Sequence, residues 1–581
     1  MQTQNGLHVL SYNGEVYNFR ELRTKLEGLG HSFVSGTDSE VVLKSFAHWG
    51  RDAILRFNGM CAGAWWNREE QELTLFRDRY GIKPLYYALI GSTLLFGSEI
   101  KALLAYPEFP REVDREGMAE YFAFQNFFSD RTLIRHVKML PAGCTLSISL
   151  GQRQLSPPQR YWDYNFTEDT SQRSEADYLE EFDHLFRRAV KRQLVSDVAV
   201  GSYLSGGMDS GSITAIAASQ FPYMKTFTIG FDMQAVSELE AGFDERLPAE
   251  HMSSLFQTEH YEMVLKAGDM ERVIPSLTYH LEEPRVGQSY PNYYAAQLAS
   301  KFVKVVLAGT GGDELFGGYP WRYYRAVNNS DFDDYVNKYH AYWQRLVPDE
   351  HYHALLSPLG IEVPDSLSLF RSVFPSRAHK LCRPEDYVNH SLYFEAKTFL
   401  HGLLVVEDKL SMAHSLESRV PFLDNDLVDF AMRLPVRLKL AKLDEMVRID
   451  ENERGKKTDT YYRQHHDGKR LLRKAMRRYI PLSITDAKKQ GFSAPDATWF
   501  RGRSVDFVRR DLLAPSAPLY DYLDRSVCER LIENHLSGRA NRRLLLWSLL
   551  YCNCFLSRFL SSDSPQGLPR PSPSELACSF F

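Results

Sequence analysis

Six consecutive residues, Ser205-Gly206-Gly207-Met208-Asp209-Ser210, combine two glycines, two hydroxyls and a carboxylate. Gly206 and Gly207 let a backbone approach a ligand closely and turn its amides inward. Ser205 and Ser210 add hydroxyl donors, and a helix starting here would add its dipole. That chemistry cradles an anion. Asp209 fits such a site once a cation is added, and Mg²⁺ bridging phosphate and carboxylate removes the conflict. No Gly-Lys-[Ser/Thr] closes the motif, so it is not a Walker A loop. On these residues alone the alternative is a tight strand–helix turn.

A second constellation reads Gly309-Thr310-Gly311-Gly312-Asp313-Glu314-Leu315-Phe316-Gly317-Gly318-Tyr319. Its five glycines suggest a backbone pressed against a ligand. Asp313 and Glu314 are suited to hold a metal or orient a cationic side chain. A third, Glu407 to Asp424, reads as a helix with Asp408, Ser411 and Ser415 on one face and Pro421 as its stop. Lys469 and Arg473, at i and i+4, are placed either to reach a polyphosphate or to face solvent.

The elements that must position these groups follow from the pattern around them. Val198–Leu204 reads as a buried strand, Ser210–Gln220 as a helix, and Thr226–Phe231 and Val303–Ala308 as further strands. Alternation of this kind predicts a parallel sheet with helices on both faces, and its ligands bind at the carboxyl ends of strands. Both glycine motifs directly follow such strands. Residues 7–150 are β-rich instead. A strand over Leu7–Tyr12 ends at the turn dipeptide Asn13-Gly14, and a helix is expected over Tyr17–Leu29. Further strands are expected at Ala62–Trp66, Glu72–Arg77, Leu85–Ala88 and Leu94–Gly97. Residues 151–175 are polar with Pro157 and Pro158 and suit a linker. From about residue 390 the chain is mostly helical.

At 581 residues the chain has room for several domains. A net charge of -5 argues against a protein that coats nucleic acid. Seven dispersed cysteines exclude a dense disulfide framework, and Cys552-Asn553-Cys554 lies in an apolar run that suits buried thiols better than zinc. No membrane span or signal peptide is legible, so a cytoplasmic location is expected.

Together these segments resemble the class B, glutamine-hydrolysing asparagine synthetases. The likeness covers about residues 7–555. Ser205–Ser210 matches that family's pyrophosphate loop, Gly309–Tyr319 its glycine-rich acidic loop and Ser411–Asp424 its synthetase helix motif. Lys469 falls where the family places a catalytic lysine. In the first part, Ser11–Asn18, Gly36–Glu40, Arg77–Tyr87 and Ser98–Lys101 match glutaminase segments. The resemblance implies an α+β N-terminal-nucleophile (Ntn) hydrolase-like sandwich, incomplete at its N-terminus, over residues 1–155. An α/β parallel-sheet ATP-pyrophosphatase domain with a helical C-terminal part would follow over 176–560, then a disordered tail over 561–581. It also implies ATP and Mg²⁺ as cofactors, a carboxylate with glutamine or ammonia as substrates, and a homodimer. Asp209, Lys469 and Asp313 become the expected catalytic residues, with Asp209 and Asp313 on the metal. Tyr203, Ser205, Gly206, Gly207, Asp209, Ser210, Ile229, Ala308 and Gly309 would hold ATP and pyrophosphate. Asn13, Gly14, Glu15 and Asp38 would hold glutamine.

The sequence departs from the family at three places. Residue 2 is Gln2, where the family exposes a cysteine whose amine and thiolate form the nucleophile. Cys61, in an apolar strand, is expected to be a core residue and no substitute. The glutaminase half is therefore expected to be inactive as written; either the true start lies upstream, the reading preferred because the glutamine-holding residues remain, or this form uses free ammonia. Thr310 stands where asparagine synthetases usually carry a glutamate, and Glu282-Glu283-Pro284 where many relatives have Asp-Glu-Pro. Both suggest an acceptor other than aspartate. Competing readings are a ligase using another amine and a catalytically dead scaffold.

Overall fold

The computed structural model describes residues 1–149, 151, 155–234, 240, 243–323, 329–375, 381–441, 443, 468–487 and 494–560. The expected tail at 561–581 lies outside the described residues. The first part is built on two antiparallel sheets. One has the order β1-β2-β3-β7-β8 and the other β5-β4-β6. Their strands are β1 (His8–Val16), β2 (Gly59–Asn67), β3 (Glu72–Arg77), β4 (Tyr86–Ile90), β5 (Thr93–Gly97), β6 (Lys138–Met139), β7 (Cys144–Ser149) and β8 (Gln159–Arg160).

Alternation along the strands explains the layering. On β2, Cys61 and Trp65 face a core shared with helices α1 (Phe19–Gly28) and α2 (Asp38–Trp49), while Ala62 and Ala64 face the second sheet with Leu75, Tyr87 and Leu146. The side-chain period of two thus buries β2 on both faces. On β4, Tyr86 and Ala88 point the other way, toward α3 (Ile100–Leu104) and α4 (Arg115–Phe124). The result is helices, sheet, sheet, helices.

Asn13-Gly14 does not turn the chain as expected. Both residues lie within β1, paired with Ala62 and Cys61 of β2. Gly14 has φ +148, and a Cβ there would stand 2.1 Å from the Met60 carbonyl oxygen. The glycine serves close strand approach rather than a turn.

After α5 (Glu175–Gln193), five parallel strands form the second sheet system in the order β11-β10-β9-β12-β13. They are β9 (Val200–Tyr203), β10 (Lys225–Phe231), β11 (Glu259–Leu265), β12 (Val305–Leu307) and β13 (Glu417–Arg419). Helices α6 (Met208–Ala218) and α7 (Arg246–Phe256) pack with α5 on one face, and α8 (Ala267–Leu281) and α9 (Tyr290–Ser300) on the other. The expected helix through Ser415 stops earlier. A short α10 (Gly312–Phe316) lies far upstream; α11 (His401–Met412) ends at Met412, Ser415 turns at φ +52, and Glu417–Arg419 becomes the edge strand β13. Three polar-rich residues bonded along their length to β12 override the local helical spacing.

The two halves meet through buried charge. Lys83 Nζ lies 2.7 Å from Asp408 Oδ1, with both side chains buried. Burial works against the Lys83 ammonium, but Asp408, with Glu417 and Asp78 behind it, outweighs burial and raises its pKa. Glu282 accepts hydrogen bonds from the Ile100 and Lys101 backbone amides, both at 2.8 Å, and pairs with Lys409. Burial would raise its pKa, yet Lys409 and Lys101 hold it below the ordinary value. Tyr86 donates to Glu283, which also pairs with Arg285 at 2.6 Å. Among the described residues no helix is long and apolar enough to cross a membrane. Cys61, Cys144, Cys382, Cys528, Cys552 and Cys554 form no disulfides, and burial pushes the Cys552 thiol up.

Lys83→Met should cost about 3–5 kcal/mol of stability in urea denaturation, because Asp408 is left buried and unpaired. The double variant Lys83→Met/Asp408→Leu should recover most of that loss. A double variant no more stable than the single one would show that the pair does not act as a unit.

Candidate functional site

The chain leaves β9 toward β10 on one side and later lays β12 on the other, so the order reverses between β9 and β12. In parallel sheets the crevice at such a reversal, at the carboxyl ends of the strands, is where ligands bind. Both glycine motifs leave from that crevice. Tyr203 ends β9, Ile229 lies near the end of β10, and Ala308 and Gly309 follow β12, where the Ala308 amide donates to the Arg419 carbonyl at 2.8 Å. The structure therefore brings these four residues to the same edge as Ser205–Ser210.

The glycines have a different use from the one their number suggests. A Cβ on Gly312 would stand 2.8 Å from Asp209 Cγ, and one on Gly309 3.1 Å from Asp209 Cβ. A Cβ on Gly318 would fall 1.9 Å from Asp313 Oδ1. Gly468 is equally tight, with a Cβ 2.6 Å from the Gly317 carbonyl oxygen. At these positions glycine lets loop pack on loop, so that two carboxylates can converge.

Lys469 is the group they converge on. Its Nζ pairs with Asp209 Oδ2 and, at 2.5 Å, with Asp313 Oδ1. The three side chains are 5%, 13% and 11% exposed, so the attraction is little screened. Lys469 itself has φ +57 and precedes α12 (Arg470–Met476), next to the Gly317–Gly318 turn. Arg473 has carbonyl partners beside this cluster. Its guanidinium is spent on the carbonyls of Gly468 at 2.9 Å, Ala487 at 3.1 Å, and Thr485.

The serine loop is already shaped. Ser205 and Ser210 hydroxyls lie 2.9 Å apart, the Ser205 amide donates to Ser210 Oγ at 3.1 Å, and the Gly207 amide donates to Ser205 Oγ at 3.2 Å. A phosphate here would exchange into bonds that preform the cradle. Glu314, next to Asp313, accepts from Tyr319 at 2.9 Å. Burial and then the Asp313 charge push its carboxyl up to about 7.

In the first half, Asp38 starts α2 and accepts from the Tyr12 hydroxyl at 2.9 Å and the Val16 amide at 3.0 Å. The Asn13 amide donates to Ser98 Oγ at 3.1 Å. Glu15 is pushed up to about 7 by burial and then by Asp38, against the pull of Arg419, whose guanidinium is 4.0 Å away. Gly14 faces Cys61 across the strand pair. The Cys61 thiol is 1% exposed and raised by burial, then by Asp78 and Asp38. It stays a protonated core residue, in line with the sequence reading.

Comparison with known proteins fits this geometry. Residues 181–559 match the Asparagine synthase family, and residues 1–162 match the Glutamine amidotransferase domain. Asparagine synthetase [glutamine-hydrolyzing] 1 of Bacillus subtilis is 29% identical, covering 95% of this chain and 87% of its own length. A putative asparagine synthetase [glutamine-hydrolyzing] of Mycobacterium tuberculosis is 30% identical, covering 94% and 83%. Asparagine synthetase [glutamine-hydrolyzing] 3 of Bacillus subtilis is 30% identical, covering 91% and 83%. The chain belongs to the asparagine synthase family. It is a carbon–nitrogen ligase of the asparagine synthetase type, with an amidotransferase domain ahead of a parallel-sheet synthetase domain.

Glu282 is fully engaged by partners from both halves. It ties α3 of the amidotransferase half to Lys409 of the synthetase half, a structural role beside the acceptor reading. Thr310 does sit at the crevice, half-buried between Gly309 and Gly311. Two contacts escaped the sequence. The Glu314–Tyr319 bond had only the glycine-rich loop as its signal. The Glu15–Arg419 approach had none, because the residues are far apart in the chain.

Gly312→Ala should cut ATP–pyrophosphate exchange by about 100-fold or more, since a catalytic group displaced by ~1 Å costs that much. Its circular dichroism should stay unchanged, and normal exchange would show that Asp209 need not be where the glycine puts it. A second expectation concerns pH. The folded state raises the Glu15 pKa to about 7, so burial costs nothing below pH 4.5 and its cost grows until pH passes 7. Glu15→Gln should therefore raise Tm at pH 8 and change it little at pH 5. An equal shift at both values would remove the burial argument.

Proposed function

We propose that the loops after β9 and β12, together with Lys469, carry out the adenylating half of an ATP-dependent amide-forming reaction. A carboxylate oxygen of the acceptor attacks the α-phosphorus of ATP and pyrophosphate leaves. Ammonia, from glutamine or free in solution, then attacks the acyl carbon, and AMP leaves with the oxygen it gained. The observation that carries this reading is one ammonium held between two carboxylates at the reversal of the strand order.

Each residue then has a task. The Ser205–Ser210 backbone and hydroxyls receive the pyrophosphate group. Tyr203, Ile229, Ala308 and Gly309 line the nucleotide pocket. Asp209 and Asp313 fit Mg²⁺, which is commonly bound by one or two carboxylates plus substrate phosphates. The metal would supply neutralisation of the pyrophosphate charge. Lys469 places its positive charge against the leaving phosphate oxygens, where charge accumulates in the transition state. Asn13, Gly14, Glu15 and Asp38 form the glutamine side, with the halves dividing at 1–155 and 176–560. Thr310 cannot act as a carboxylate base near neutral pH. The acceptor therefore differs from, or is bound differently than, one that pairs with a glutamate at this point.

The test is AMP and pyrophosphate release with ATP and Mg²⁺ across a panel of carboxylates, each with ammonium and with glutamine. Turnover should require one acid from the panel and should disappear in Asp209→Asn, whose fold stays intact. Lys469→Met should lower kcat by about 10²–10³. Unchanged ATP–pyrophosphate exchange in Asp209→Asn would remove that residue from the mechanism.

A further inference from the structure

A cavity of about 270 Å³ lies where the segment after β8 meets the helical region. None of its lining residues belongs to the loops after β9 and β12. Its polar side is made by Arg160, Asp163, Tyr393 and Lys397, and its apolar side includes Phe128 and Phe374. Lys397 Nζ donates to Asp163 Oδ1 at 2.9 Å, and the Tyr393 hydroxyl donates to Asp163 Oδ2 at 3.0 Å. Arg160 Nε stands 3.7 Å from the same carboxylate, outside hydrogen-bond range. The side chains of Lys397, Asp163 and Arg160 are 19%, 31% and 43% exposed, so a solute can reach the charged groups, and the apolar wall is a buried Phe374 beside a half-buried Phe128.

The backbone is built to hold this arrangement. Helix Pro384–Glu395 widens into a π-helical turn at Ala396–Leu400, which carries Lys397. Such turns are often found at functional sites. Asn126 fixes this one by donating to the Thr398 carbonyl at 2.9 Å. The apolar wall is equally fixed, since Phe128 and Phe374 both pack on Phe394, with ring centroids 5.2 and 5.4 Å apart.

The donor and acceptor count selects a ligand class. Arg160 offers a planar fork that suits a carboxylate, and Lys397 has donors beyond the one given to Asp163. Asp163, with about four lone-pair sites, accepts further hydrogen bonds. The volume falls just below the ~300–1,000 Å³ of pockets for drug-sized ligands, which leaves room for one small solute. A cation pair, a lone carboxylate and an aromatic wall match the three parts of one molecule. We propose that this cavity is a second small-molecule site that binds a free α-amino acid with an apolar side chain. Its carboxylate lies on Arg160 and Lys397, its ammonium on Asp163, and its side chain against Phe128 and Phe374.

The test is calorimetric titration of the full chain, with ATP and Mg²⁺ saturating so that the nucleotide crevice is engaged. L-phenylalanine and L-leucine should bind saturably at millimolar concentration or below. N-acetyl-L-phenylalanine lacks the ammonium and L-phenylalaninamide lacks the carboxylate, so each should bind at least about tenfold more weakly. Ser372 is an exposed residue at the rim. Ser372→Trp should block binding without changing Tm, and Arg160→Gln should weaken it by about tenfold or more, a difference of ~1.4 kcal/mol. No saturable binding of either amino acid would overturn the proposal. So would equal binding of the blocked forms, or binding untouched by both variants.

Discussion

Lys469 and the two carboxylates around it tie together segments that the sequence keeps far apart. Asp209 comes from the loop after β9, Asp313 from the loop after β12, and Lys469 from the start of a helix more than a hundred residues later. Two carboxylates brought this close would repel each other unless a cation stood between them. Lys469 supplies that cation in a site with little solvent, and the arrangement of both loops follows from it. The same three charges suit the adenylating centre we propose, with two carboxylates for a metal and one ammonium for the leaving phosphates.

That constraint reaches outward through glycine. Gly312 lies against Asp209, Gly318 against Asp313, and Gly468 against Gly317, each too closely for a Cβ, and Gly309 leaves a Cβ only a tight 3.1 Å from Asp209. The sheet beneath fixes where these loops begin. β13 holds β12 in register, and its Arg419 reaches back to within 4.0 Å of Glu15 in the amidotransferase half. Between the halves, Lys83–Asp408 is a buried ion pair whose charges are costly to separate, and Glu282, paired with Lys409 in its own half, accepts the Ile100 and Lys101 amides of the other. The two candidate sites thus belong to one continuous framework.

Much of this was legible in the chain. The strands β9, β10 and β12 read as apolar runs, and the motifs that follow them carried the catalytic expectation by residue type and position. Other features were hidden for physical reasons. β13 is three residues long with Glu417 and Arg419, and only its bonding to β12 makes it a strand. Asn13-Gly14 has turn composition but sits in β1, because the approach of β2 at Met60 demands a glycine. Glu282, next to Glu283-Pro284, gave no sign in the sequence of its partners Ile100, Lys101 and Lys409, which come from both halves and make it a latch. Spacing reveals local periodicity; it does not reveal which distant charge will complete a pair.

The central claim is that the Lys469 cluster activates a carboxylate as its adenylate. The most direct measurement follows ¹⁸O from a labelled acceptor carboxylate during turnover with ATP, Mg²⁺ and ammonium. If the carboxylate oxygen attacks the α-phosphorus, one ¹⁸O ends in AMP and the pyrophosphate carries none. Label in inorganic phosphate, with ADP as the nucleotide product, would mean attack at the γ-phosphorus and would contradict the account.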